Sequence, residues 1–195
     1  MKRWSWSMVG AAFLLAGCAS DPPIRTYVLS TPINTKAEVS TAPGQSILQL
    51  EPVKLPDYLD TTDIIVRRGS NEIVASATGR WGERLSRGLG HALEADLGTR
   101  LPRDRVTLGS SSDRSDRRIL VTINAFDVYL DGRCVLTASW KILGKDDKYT
   151  ARVGWGTFIT QATKMNDRVG DEVLVAAMAS TVVELADRIA LVADQ

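Results

Sequence analysis

Histidine occurs once in this 195-residue chain, at His91, and cysteine twice, at Cys18 and Cys134. So few nitrogen and sulfur ligands exclude the usual zinc frameworks: there is no CxxC and no HExxH. A Ser-His-Asp triad would have only His91 as its base, and no serine stands in a Gly-x-Ser-x-Gly turn. No P-loop is present, so the chain does not supply its own nucleotide chemistry. Charge of one sign is also missing: 24 Lys and Arg stand against 23 Asp and Glu. That balance gives no long-range field for nucleic acid. Nowhere does an apolar run reach the roughly 20 residues of a membrane span. Repeats and low-complexity tracts are absent. Asp57, Asp60 and Asp63 are spaced by three but lack the glycine of a calcium loop, and read as solvated or capping residues. His91 reads as a helix-surface residue. With no catalytic and no metal-binding set, the function points to binding or scaffolding.

What is present begins at the N-terminus. Met1-Lys2-Arg3 is a basic start, Met8 to Ala16 is apolar, and Leu15-Ala16-Gly17-Cys18 closes the run. These are the parts of an export signal. Leu15, Ala16 and Gly17 form a lipobox, with small residues before the cut and a cysteine in register after it. Residues 1–17 are expected to be a lipoprotein signal peptide. The Cys18 thiol takes a diacylglycerol and the new amine an acyl chain, so the only attached groups are covalent lipid and no cofactor is expected. Ala19, rather than an aspartate, follows the cysteine. In bacterial lipoproteins this points to the outer membrane of a Gram-negative cell, facing the periplasm. Residues 18–25 are a tether with Pro22 and Pro23. Its seven steps reach roughly 25 Å at most. With Cys18 used, Cys134 has no disulfide partner. It alternates with Leu136, Ala138 and Trp140 and reads as a small core residue.

Residues 26–195 have the length of one domain. Short strands are expected at 25–29, 47–51, 64–68 and 72–75. Pro52 and Pro56 keep the stretch 52–60 extended. A helix is expected from about Arg80 to Pro102, because Trp81, Leu85, Leu89, Ala92, Leu93 and Leu97 make one stripe. Gly88 and Gly90 would let it approach the sheet closely. After a strand at 105–108 and a polar loop, a meander runs through 119–130, 134–142 and 149–159. It has a bend near Ala125 and a hairpin at Asp131-Gly132. A last helix spans about 170–193, capped by Asn166 or Asp167. It carries Val175, Met178, Val182, Leu185, Ile189 and Val192 on one face. Arg100, Arg103, Arg105, Arg114, Arg117 and Arg118 read as a solvated rim, with contact to lipid headgroups or an acidic partner as the alternative, and Trp81 and Trp155 read as core, with interface anchors as the alternative. The fold class is α/β (α+β): a single domain, with a mixed, mostly antiparallel sheet and two amphipathic helices packed on one face.

The lipobox, Tyr27-Val28-Leu29, the run from Pro52 through Pro56 and Tyr58 to Asp60, Ile65 to Arg68, and Arg80-Trp81-Gly82-Glu83-Arg84-Leu85 follow in that order. In this the chain resembles the ABC-type transport auxiliary lipoproteins of the PqiC type. The resemblance implies a docking subunit of a lipid-transport system that maintains envelope integrity. Its partners would be an MCE-domain protein, an inner-membrane ABC-type permease and membrane lipid, and a homo-oligomer is compatible with it. The positions it singles out for partner binding are Pro52, Pro56, Tyr58, Arg80 and Trp81. A structural assembly lipoprotein of another envelope machine is the alternative.

Overall fold

The structure is a computed structural model, and it describes residues 23–29, 46–109, 115–145, 152–163 and 169–194. The expected signal peptide, Leu15, Ala16, Gly17, Cys18, Arg114, Asn166 and Asp167 lie outside the described residues. In chain order the elements are β1 (Arg25–Tyr27), β2 (Ser46–Leu50), β3 (Asp63–Arg67), β4 (Ile73–Trp81), α1 (Leu85–Arg100), β5 (Asp104–Leu108), β6 (Arg117–Tyr129), β7 (Arg133–Gly144), β8 (Arg152–Gln161) and α2 (Asp171–Ala193). The strands form one mixed sheet under the two helices. Its long ladders, β6–β7 and β7–β8, are antiparallel. The pairings of β1 with β4, β2 with β5, β2 with β6 and β3 with β6 are short and parallel.

Strand β6 organises the sheet because its two edges are used differently. One edge carries β7 over nearly its whole length. The other is shared by three successive partners. Strand β2 pairs at Arg117 to Ile119, Lys54 bridges to Thr122, and β3 pairs at Val128 and Tyr129. The proline-bearing stretch is thus almost a strand around Lys54, but its end at 57–60, expected to be extended, forms a turn. Lys54 N donates to Val121 O at 3.1 Å, and Ile123 N donates to Lys54 O at 2.7 Å.

The bend expected near Ala125 is a register shift between Ile123 and Ala125, which leaves Asn124 as the extra residue. Such a bulge reverses the side-chain alternation. Ile119, Val121 and Ile123 on one side of it, and Phe126 and Val128 on the other, therefore all lie in the core under the helices.

The helix expected from Arg80 begins only at Leu85, because β4 continues through Arg80 and Trp81. Trp81 is buried all the same, at 5 % exposure. It stands four residues before Leu85, so a strand residue falls in step with the helical stripe. Gly90 does allow close approach: a Cβ there would lie 3.1 Å from the Leu108 side chain of β5.

Helix α2 buries Leu174, Ala177, Met178, Thr181, Val182, Leu185, Ala186, Ile189, Ala190 and Ala193. The expected Val175 and Val192 are half-buried flanks. The alanines let the helix lie close to the sheet, and a pattern read from large apolar residues passes over them. Asp171 and Glu172 occupy its first turn, where the helix dipole favours acids. At the other end Arg117 donates to Ala193 O, and Arg152 to Val192 O and Ala193 O. The carbonyls left over at the helix end are thus satisfied from the sheet.

Candidate functional site

The motif segments meet in space although some twenty residues separate them in sequence. Pro56 and Asp57 start a tight turn, with Leu59 N donating to Pro56 O and Asp60 N to Asp57 O. Leu59 is driven into the core at 2 % exposure, and this holds the turn in place. Helix α1 has no side-chain cap of its own. Asp60 supplies one from the turn: its Oδ1 accepts from Ser86 N at 3.2 Å, and its main-chain oxygen accepts from Arg84 Nη1 at 2.7 Å. A second layer joins the same two segments. Trp81 N donates to Thr62 O, Leu85 N donates to Thr61 O, and Arg80 Nε pairs with Asp63 Oδ1 at 3.0 Å. Arg80 also donates to Ser76 O and Gly79 O. Asp60 and Asp63 are therefore a cap and an ion-pair partner.

Around this junction Pro52 is exposed, Pro56 is half-buried, and Trp81 is a core residue that ties the segments together from inside. Tyr58 is 36 % exposed and turns the other way, toward β3 and β6. There Arg67 Nη2 and Asp127 Oδ1 lie 3.0 Å apart, and Arg67 also hydrogen-bonds the Tyr58 side chain. Burial first, and then the Asp127 charge, raises the Tyr58 hydroxyl pKa above its ordinary value, and Arg67 opposes both. Alongside, the Arg133 guanidinium lies 4.0 Å over the Tyr129 ring. The patch is amphipathic, with ring faces and paired charges at the surface. Its polar groups are held by one another, Arg67 by Asp127 and Tyr58 by Arg67.

Cys134 is a buried free cysteine. Its Sγ lies 3.2 Å from Thr181 Oγ1, and Thr181 and Thr160 both donate to Ala177 O. Burial pushes the thiol up to about 11, against weaker opposition from the threonine hydroxyls. A thiol that stays protonated is not a nucleophile. His91 sits on the α1 surface with Nδ1 3.1 Å from Glu83 Oε1. Among the described residues no group of three His, Cys, Asp or Glu side chains is placed to hold a metal.

The expected basic rim is largely spent in pairs. Arg100 engages Asp96 and Asp187, Arg117 engages Asp104 at 2.6 Å, and Arg118 faces Glu51. Arg103 and Arg105 are exposed.

Trp155 departs from expectation most. It is 80 % exposed. Strand alternation turns Gly154, Gly156 and Phe158 toward α2 and Trp155 outward. Gly154 pairs with Trp140, whose indole fills the place of its side chain: a Cβ there would lie 2.3 Å from Trp140 Cε2. Beside these residues a groove of about 870 Å³ runs between β8 and α2, past Glu184, Arg188 and Leu191. The sequence carried a signal for this in the alternation of Val153, Trp155 and Ile159 with glycine and phenylalanine.

Residues 27–190 match the family of the ABC-type transport auxiliary lipoprotein component. Over 143 residues the chain is 28% identical to the Intermembrane transport lipoprotein PqiC of Escherichia coli, covering 72% of this chain and 73% of that one. The Shigella flexneri protein of the same name matches equally. Among solved structures, an uncharacterised protein superposes with a TM-score of 0.69 at 20% identity, covering 86% of this chain and 97% of that chain. A protein from Xanthomonas campestris does so at 0.58 and 14% identity, over 87% of this chain and 90% of the other. These two share the fold.

Proposed function

This chain belongs to the ABC-type transport auxiliary lipoprotein family, a family of transport components and not of enzymes, and from that premise we propose that it is the outer-membrane docking subunit of an intermembrane lipid-transport system. Cleavage after Gly17 and lipidation of Cys18 hold it at the membrane, facing the periplasm. The partners are an MCE-domain protein and an inner-membrane ABC-type permease, and the energy comes from outside this chain. The observation that carries the reading is the extent of the family match. It runs from Tyr27, the last residue of β1, to Ala190 in α2, so it takes in both motif segments and all of β2 to β8. The name shared by the curated relatives supports the intermembrane role.

The docking surface is the junction just described. Tyr58, Pro52 and Pro56 present its outer side, Arg80 orders it through Asp63, and Trp81 fixes it from below. Crosslinking intact envelopes and identifying the co-purified proteins by mass spectrometry tests this. An MCE-domain protein is expected in the eluate, with much less of it recovered from the Tyr58→Ala variant. Recovery of cell-wall enzymes with no MCE-domain protein overturns the reading. Separately, Cys18→Ala is expected to shift the protein from the membrane to the soluble periplasmic fraction. Unchanged fractionation would remove the lipid anchor from the account.

A further inference from the structure

We propose that the outward stripe Val153, Trp155 and Ile159 of β8 rests on the bilayer surface to which the chain is tethered. The inference depends on lipid attachment at Cys18. The three side chains project from one face of the strand and are 61 %, 80 % and 61 % exposed. Tryptophan is the side chain that best suits the boundary between headgroups and acyl chains, with an apolar body and one polar N–H. The flanking charge suits an anionic headgroup layer. Lys141 stands directly across from Val153, exposed and without an ion-pair partner among the described residues. The acids on this face of β6 and of the β6–β7 turn are engaged, Asp127 by Arg67 and Asp131 by Arg133.

The length of the tether brings this face within reach. Cys18 lies seven residues before Arg25, which is roughly 25 Å of extended chain. Strand β1 stands five strand spacings from β8 across β4, β3, β6 and β7. At about 4.8 Å each this is roughly 24 Å. Continuing the register sets the two at a similar height. Thr26 pairs with Arg80 and Arg80 with Asp63; the parallel pairing of Val66 with Val128, continued three residues back along both strands, brings Asp63 level with Ala125; and Ala125 pairs with Thr137 and Thr137 with Thr157, between Trp155 and Ile159. The lipid thus ends within one tether length of the domain, and the stripe lies about one tether length farther along. Insertion of Trp155 would turn a one-point leash into a two-point attachment that sets the orientation of the domain.

The test uses the full chain, exported and processed by the cell, purified in detergent and reconstituted in vesicles containing anionic lipid and lipid brominated in the acyl chains. Removal of residues 1–17 leaves Trp81, Trp140 and Trp155, of which only Trp155 is exposed. Bromine is expected to quench a component of the emission that is missing in Trp155→Phe. Vesicle-bound protein whose Trp155 emission is unchanged by bromine overturns the contact and leaves the anchor standing. Protein that fails to float with the vesicles, with an unmodified Cys18 by mass spectrometry, overturns both. Trp155 already shielded from acrylamide in the Cys18→Ala protein purified without detergent, where there is neither micelle nor bilayer, assigns the stripe to another copy of the chain and also overturns the proposal.

Discussion

The outer edges β1 and β8 of the sheet are built on opposite rules. Strand β1 is three residues long, follows Pro23 and pairs in parallel with the end of β4. It is too short to template another chain. Strand β8 has ten residues with an unbroken register to β7, and no proline, lysine or bulge interrupts it. Natural sheets blunt an exposed edge with exactly such devices, because an open ladder invites pairing. An edge that omits them and adds Trp155 is shaped for contact. One flank of the sheet ends in a strand of three residues, and the other stays open along ten.

The sharpest way to break this contrast is to compare the tryptophans of the two flanks. Trp81→Ala beside β1 empties core volume and is expected to lower stability by about 3–5 kcal/mol, read from urea unfolding. Glycines make a second pair. Gly154→Val forces a side chain into the Trp140 indole and is expected to cost about 3 kcal/mol. Gly82→Ala near β1, where a Cβ would lie 3.3 Å from Val28 Cγ1, is expected to cost less than about 1 kcal/mol. Parallel thermal melts decide between them.

Alkaline pH probes the layer beneath β8. The folded state holds Cys134 protonated up to about 11, whereas the thiol of the unfolded chain ionises near its ordinary 9.0. The unfolded state therefore binds fewer protons between these values, and stability falls as pH rises through that window. The loss is about 2–3 kcal/mol at most. Urea midpoints at pH 8.5 and pH 11 for wild type and Cys134→Ala measure it, and the variant is expected to lose this component. The smallest effect is Trp155→Ser, within about 0.5 kcal/mol of wild type, since four fifths of the side chain meets solvent. A large loss there would mean that the open edge is structural.

The same contrast marks what the sequence made legible. Strict alternation in β7 placed Cys134, Leu136, Ala138, Trp140 and Ile142 correctly in the core. The hairpin at Asp131-Gly132 and the bulge beside Ala125 were readable from turn chemistry and from the change of parity. Trp81 was read correctly as core but in the wrong element, and Trp155 was read on the wrong face, for one reason. A tryptophan is presumed buried, but the face it takes is set by its element. Trp81 is in the core as a strand residue that a helical count could not distinguish. Trp155 is outside because Trp140 already occupies the inner side opposite Gly154. Asp60 was readable as a solvated or capping residue, but the helix it caps was not, because the groups it joins lie 26 residues apart. That segments 52–60 and 80–85 belong together was carried by their order along the chain. The geometry of their meeting, through Thr61, Thr62 and Asp63, was not.

Asn124 has a consequence for how this domain tolerates change in its gene. Strand β6 keeps its inward side chains only because one surplus residue separates the half that serves β2 from the half that serves β3. Losing that single codon would shorten the protein by half a per cent and turn Phe126 and Val128 toward water, or else drag β7 and β8 out of alignment. Replacing Asn124 with almost any other residue should pass unnoticed. At this position the count of residues is under constraint, while their kind is free to drift.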